Sequence, residues 1–344
     1  MKKKLIVITT GGTIGSILQS DSISVDVTEK RISHEITRAK NRLGYTVEVL
    51  SPLNKNSEAL YPSDWVKILR SLNEANKSDA DGIVVTHGTD TMAYSVAAAI
   101  SYNEHWNKKI CFTGAYYSPD HPSSDTSLSL LAALEFAASP HPANGIYVAF
   151  RSNRFNSEAR IIHGADIKPM VFDDQFFESA YDDVVSTFKP KEGMSDEISL
   201  NSNKSPSLGS SQFPSEVDIE NAQSQIACIS LYPGVDKNLL EGAVNGRKLL
   251  IIQMYHSGTG PSDSDNLDLV EFIESQSGNT TILMGTFPKK YIETPYDSTN
   301  EIKNAGAYVY ADLQQHFLYV FSLLSLSIGL EPKDITNKLA RWEA

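Results

Sequence analysis

Two hydroxyl-bearing turns carry the chemistry of this 344-residue chain. Ile8-Thr9-Thr10-Gly11-Gly12-Thr13-Ile14-Gly15-Ser16 closes the apolar run that begins at Leu5. Val85-Thr86-His87-Gly88-Thr89-Asp90-Thr91-Met92 closes a second apolar run that begins at Gly82. Each turn offers a threonine, Thr13 or Thr89, and Asp90 stands beside the second. A threonine hydroxyl is a poor nucleophile unless a nearby base takes its proton. The oxyanion formed on attack needs fixed donors, which glycine-rich strand ends supply as backbone N–H groups. The first turn is not a phosphate loop: it lacks Gly-Lys-Ser/Thr and the G-x-G-x-x-G spacing. A lone Thr-Asp pair would be an ordinary helix cap. Two such turns on two apolar runs, with an acid beside one hydroxyl, point instead to a ligand site at the strand ends. His87 is read as a brace for its turn. No histidine or cysteine spacing marks a metal site, and no cofactor is implied.

The elements that must hold these turns alternate along the first half. Strands are expected at Leu5–Thr10, Thr46–Leu50, Gly82–Thr86, Lys109–Gly114 and Gly145–Arg151. Helices are expected at Ile32–Leu43, Trp65–Asn76, Thr91–Ser101 and Leu128–Ala138. This order predicts an α/β fold, a doubly wound and mostly parallel sheet. In such a sheet ligands sit at the carboxyl ends of strands, where both turns fall. Residues 191–222, rich in Ser, Asn and Pro, read as a linker. The alternation resumes from Gln225, so the expected organisation is an N-terminal domain over 1–190, a linker over 191–222 and a smaller α/β domain over 223–344.

Composition bounds the partners. The net charge of −12 argues against nucleic acid, whose phosphates call for a basic face. The apolar start, Leu5 to Ile8, is too short for a signal peptide, and no stretch approaches a membrane span. A cytoplasmic location is therefore expected. Both cysteines, Cys111 and Cys228, lie in apolar runs and read as buried free thiols.

TTGGTIGS and THGTDTM resemble the two signature segments of the bacterial-type L-asparaginases. Asn56–Trp65, Thr113-Gly114-Ala115, Ser124-Asp125, Leu231–Gly234 and Tyr255–Gly258 resemble further marks of that family, and Tyr-Pro-Gly points to its cytoplasmic branch. The resemblance implies hydrolysis of the side-chain amide of L-asparagine or a close analogue. Thr13 would be the nucleophile, and Thr89 would belong to a Thr–Lys–Asp group that handles protons. Asp90 would hold the substrate's α-amino group and Ser57 its α-carboxylate, with Gly12, Glu58, Gly88 and Ala115 around them. A homodimer or homotetramer is implied in the same way.

The chain departs from that pattern in four places. The family's lysine position falls at His163, in Arg160-Ile161-Ile162-His163-Gly164. Two readings stand: the imidazole is the proton acceptor, or the group is broken and the domain binds or acts weakly. The loop Gln19–Lys30 holds no tyrosine to serve as a lid residue. Glu58 replaces a Gln or Ser and would repel a second substrate carboxylate. Ser124–Leu128 lacks the usual Gly-Pro. These departures point to a shifted substrate. A binding or sensing module, and the ammonia-releasing subunit of an amide-transfer complex, are the competing expectations.

Overall fold

The structure is a computed structural model that describes residues 2–18, 23–25, 30–103, 106–140, 143–155, 157–170, 175–180, 184–195, 207–209, 212–262, 267–285, 294–311 and 313–343. Of residues 17, 18, 23–25, 342 and 343 it describes the backbone alone. The chain divides into two compact units, 1–205 with 209–211 and 206–208 with 212–344.

The first unit contains, in order, β1 (Lys4–Thr9), β2 (Ser16–Leu18), β3 (Ile23–Val25), α1 (Lys30–Leu43), β4 (Thr46–Leu50), α2 (Pro62–Lys77), β5 (Gly82–Thr86), α3 (Met92–Tyr102), β6 (Lys109–Thr113), α4 (Thr126–Ala138), β7 (Gly145–Arg151), β8 (Ala159–His163), β9 (Ser186–Lys189) and β10 (Gly193–Met194). Its main sheet runs β10-β9-β8-β7-β6-β5-β1-β4. The strands from β4 to β7 are parallel, and β8, β9 and β10 add an antiparallel edge. β5 and β6 are buried at every position because helices cover both faces of a parallel sheet. Leu5, Val7, Val84, Cys111 and Tyr147 share one core with α1 and α4. α2 and α3 lie against the sheet elsewhere, contacting β1, β5 and β7. Strand order reverses at β1: the chain passes from β1 to β4 on one side, then returns to β5, β6 and β7 on the other. The carboxyl ends of β1 and β5 therefore flank the topological switch point, where this class of sheet binds its ligands.

The second unit holds α5 (Glu216–Ser224), β11 (Ile226–Ser230), α6 (Lys237–Val244), β12 (Leu249–Gln253), α7 (Leu269–Ser275), β13 (Thr281–Gly285), α8 (Asp297–Asn304), β14 (Tyr308–Tyr310), α9 (Gln315–Ser327) and α10 (Pro332–Glu343). Its parallel sheet runs β11-β12-β13-β14. Leu250, Ile252, Ile282 and Met284 pack with Leu240, Phe272 and Ile302 of α6, α7 and α8. α9 packs against β11, β12 and β13, and α5 and α10 pack against α9.

Two expectations need correction. The stretch read as a linker is partly built into the two units: β10 pairs with β9, and α5 is a helix capped by a Ser215–Asp218 box. Cys228 is exposed, because β11 is an edge strand, while Cys111 is buried in the first core. Of the loop Gln19–Lys30, only Ile23–Val25 and Lys30 lie among the described residues. No helix among the described residues is long and apolar enough to cross a membrane.

Candidate active site

Pairing of β1 with β5 brings the two motifs together. Thr9 lies abreast of Thr86, and Thr86 abreast of Thr113 on β6. Past this row, Thr10 donates both its backbone N–H and its hydroxyl to the Thr86 carbonyl, at 3.2 and 2.9 Å. Gly12 then turns at φ 84°, a left-handed conformation that favours glycine. A methyl group on Gly12 would overlap the backbone of Gly88. The residues preceding Thr13 and Thr89 are thus packed face to face. Gly12→Ala is expected to cost about 2–3 kcal/mol from the φ strain and the overlap, read as a fall of about 5 °C in the unfolding temperature of the first unit.

The turn after Gly12 is a short 3₁₀ segment, Thr13–Gly15. Ile14 is fully buried in the first core and anchors it, and Ser16 Oγ donates to the Gly12 carbonyl at 2.9 Å. Thr13 is left half-buried at the rim. Thr89 is half-buried and Asp90 exposed at the start of α3. The side chains of Thr13 and Thr89 make no hydrogen bond among the described residues, and both residues are partly exposed. Their backbone N–H groups are likewise uncommitted there and can serve as oxyanion donors.

His87 holds the second turn from behind. It is wholly buried, with Nδ1 2.7 Å from the Gly88 carbonyl and Nε2 2.8 Å from Ser95 Oγ. A carbonyl only accepts, so Nδ1 carries the proton and Nε2 accepts from Ser95. Burial pulls its pKa down to about 4, against the Gly88 hydrogen bond and the charge of Asp90. His87 is therefore neutral and fully engaged, a brace and not a base for Thr89.

A third loop completes the rim. Ser57 Oγ donates to Asp90 Oδ2 at 3.0 Å, and Thr91 Oγ1 donates to the Ser57 carbonyl at 2.8 Å. A methyl group on Gly88 would lie 2.5 Å from Ser57 Oγ. The loop is fixed by Asp64, which is buried and accepts from Lys55 at 2.6 Å, Lys67 at 3.2 Å and the Tyr61 amide at 3.1 Å. Burial works to raise the Asp64 pKa, but these donors outweigh it and hold the carboxyl below its usual range. The Lys55 amide in turn donates to the Thr10 carbonyl. Glu58 is exposed beside Ser57. Ala115 is buried one residue beyond Gly114, where a methyl group would sit 3.6 Å from Thr89 Cγ2.

Thr13, Thr89, Asp90, Ser57, Glu58, Gly12, Gly88 and Ala115 thus gather at one end of the sheet. His163 ends β8 and pairs with Tyr147, two residues before Ala149, which lies abreast of Thr113, Thr86 and Thr9. Its ring rests 5.1 Å from that of Tyr147. The turn Gly164–Asp166 that follows it packs against α3, the helix that opens after Thr89 and Asp90, and a methyl group on Gly164 would lie 2.9 Å from Val96 Cγ1. Sequence reasoning missed Thr91, Asp64 and Arg151. The signal for Arg151 is a cation that ends the apolar run Gly145–Arg151 yet is 1% exposed. Among the described residues no group of three or more His, Cys, Asp or Glu side chains could hold a metal ion.

A family model described as Asparaginase, N-terminal matches residues 4–183. A protein of Methanococcus vannielii, named as one of the subunits of glutamyl-tRNA(Gln) amidotransferase, is 26% identical over 324 residues, covering 92% of this chain and 73% of that protein. Its namesake in Thermoplasma acidophilum is 39% identical over 140 residues, 39% of this chain and 32% of that protein. The thermostable L-asparaginase from Thermococcus kodakarensis shares the fold, with a TM-score of 0.74 at 23% identity over 98% of this chain and 96% of that one. The two sequence relatives carry an amidotransferase name where the motifs pointed to a bacterial-type asparaginase.

Proposed function

The chain belongs to the asparaginase family, and on that premise we propose that its first unit hydrolyses the side-chain amide of L-asparagine or a close analogue through Thr13. The observation that supports the reading is the packing of Gly12 on Gly88, which brings together the turns that carry Thr13 and Thr89 at the switch point of the sheet. Thr13 Oγ1 attacks the amide carbon, the C–N bond breaks, and the nitrogen leaves as ammonia with the hydroxyl proton. Water then splits the threonyl ester, releases the carboxylic acid and restores Thr13. The backbone N–H groups of Thr13 and Thr89 face the oxyanion. Asp90, tied to Ser57, holds the substrate's α-ammonium, Ser57 its α-carboxylate, and Ala115 walls the site. Glu58 disfavours any substrate with a further carboxylate nearby. Ammonia release from asparagine, glutamine and related amides is the test. No turnover of any of them by the purified protein overturns the reading.

The position of His163 bears on the proton acceptor. His163→Ala tests it: a hundredfold loss of kcat/KM with the fold intact puts the imidazole on the proton path, and a change within about twofold takes it off.

A second reading is favoured by the names of the relatives: the chain is the ammonia-releasing subunit of an amide-transfer assembly. Purification from the native source, followed by identification of bound polypeptides, separates the two. A stoichiometric partner that consumes the ammonia supports the second reading, and a homo-oligomer alone supports the first.

A further inference from the structure

We propose that Arg151 is a positioning residue of the candidate site, acting through Tyr116, Tyr117 and Asp125 to hold the Gly114–Ala115 wall against Thr89. The functional half of this proposal rests on the amidohydrolase reading above. Arg151 ends β7, and its side chain has no solvent exposure. Its guanidinium carbon lies 4.7 Å from the centroid of the Tyr116 ring and 5.2 Å from that of Tyr117, within the range of cation–π attraction. Nε donates to the Gln175 carbonyl at 2.7 Å and Nη2 to Gln175 Oε1 at 3.0 Å, which fixes the plane of the group. Asp125, equally buried, lies 3.9 Å from Nε.

Asp125 is committed to the same loop. Its carboxylate accepts from the Tyr116 amide at 3.0 and 3.1 Å and from the Tyr117 amide at 2.9 Å. Burial pushes the Asp125 carboxyl up, while those amides and the Arg151 charge pull it down. Arg151 thus favours the ionised form that grips the two amides. Tyr117 stacks further on His121, with centroids 4.1 Å apart and planes 6° from parallel, and meets Tyr116 edge-on at 4.9 Å. Tyr116 follows Ala115 directly, and Gly114 abuts both Thr89 and the His87 carbonyl. The one stretch of β6 loop that walls the site is therefore suspended from a buried cation on the next strand. A lysine cannot reproduce this support, because an ammonium offers neither a stacking plane nor paired donors in a fixed geometry.

Arg151→Lys, which keeps the buried charge, and Arg151→Met are made in the full chain. Two readouts are taken. Hydrogen exchange of the peptides covering residues 114–125 is expected to quicken at least tenfold in both variants, with β5 and β6 unchanged. Steady-state kinetics on whichever amide the wild type hydrolyses is expected to show KM raised about tenfold with kcat altered less than threefold, and addition of guanidinium ion is expected to recover part of the loss in Arg151→Met. Unchanged exchange over 114–125 in folded Arg151→Lys overturns the proposal. So does quickened exchange with KM unchanged. If the wild type hydrolyses no amide, the amidohydrolase reading fails on its own and exchange alone decides whether Arg151 holds the loop. If Arg151→Met does not fold, Arg151→Lys decides by the same two criteria.

Discussion

Replacing Thr13 with alanine is expected to lower ammonia release by a thousandfold or more, while the unfolding temperature of the first unit stays within about 2 °C of the wild type. The two halves of this expectation have separate causes. Thr13 is half-buried at the rim, its side chain makes no hydrogen bond among the described residues, and the neighbouring Ile14 anchors the turn in the core. Removing the hydroxyl therefore removes no structural contact. It does remove the atom that forms the acyl intermediate in the proposed mechanism, where nothing replaces a lost nucleophile except direct attack by water. Thr13→Ser keeps the hydroxyl and is expected to keep measurable turnover, lowered by the freer rotation of a side chain that is not β-branched. Aspartate binding, followed by calorimetry, should survive in Thr13→Ala, because Asp90 and Ser57 are untouched. Equal turnover by wild type and Thr13→Ala would sink the threonine mechanism.

Acid should weaken each unit well before its carboxylates titrate. His87 in the first unit is wholly buried and His316 in the second is 6% exposed, and burial lowers each pKa from 6.5 to about 4. The unfolded chain takes up a proton at each position near pH 6.5, and the folded chain does not until near pH 4. The unfolded state thus binds more protons across this window, and stability falls as the pH drops through it. Each histidine contributes about 3 kcal/mol, a large share of the usual stability of a domain. The contribution is present in full above pH 6.5 and gone below pH 4. Calorimetric scans between pH 7.5 and 4 should show both units losing stability in this window, and His87→Gln should flatten the profile of the first unit alone. A profile with no slope above pH 4.5 would refute the assignment. Protonation also has a local result: Nε2 of His87 can no longer accept from Ser95, so the Thr89–Asp90 turn loosens before the unit unfolds.

The parallel core was legible because its strands are continuous apolar runs. Gly82–Thr86 and Gly145–Arg151 have the expected bounds, and neither a helix nor a loop would place every one of those side chains inside. The antiparallel edge was not legible: β8 is five residues with Arg160 turned to solvent, and β10 is two residues. α5 was hidden in a Ser- and Asn-rich stretch, although Ser215-x-x-Asp218 is a readable capping box. The two turns of the site could be read from glycine and threonine spacing. Thr91 and Arg151 could not, since they act on residues far along the chain and leave no local pattern, whereas Asp64 binds Tyr61, Lys67 and Lys55 close by and sits in a readable helix start. The pairing of His163 with Tyr147 was likewise unreadable, since register is set between strands and not along the chain.

The reversal of strand order at β1 also governs when the site can exist. Gly12 and Gly88 meet only after β5 has docked beside β1, and β4 with its flanking helices lies between them in the chain. Parallel strands cannot pair through a tight hairpin, so this contact waits on closure of a long loop and carries the slow kinetics of non-local pairing. A nascent chain that has emerged only as far as α2 has the first threonine turn but nothing to set it against. Assembly of the candidate site is then a late event of folding, since it waits for the central strands to align.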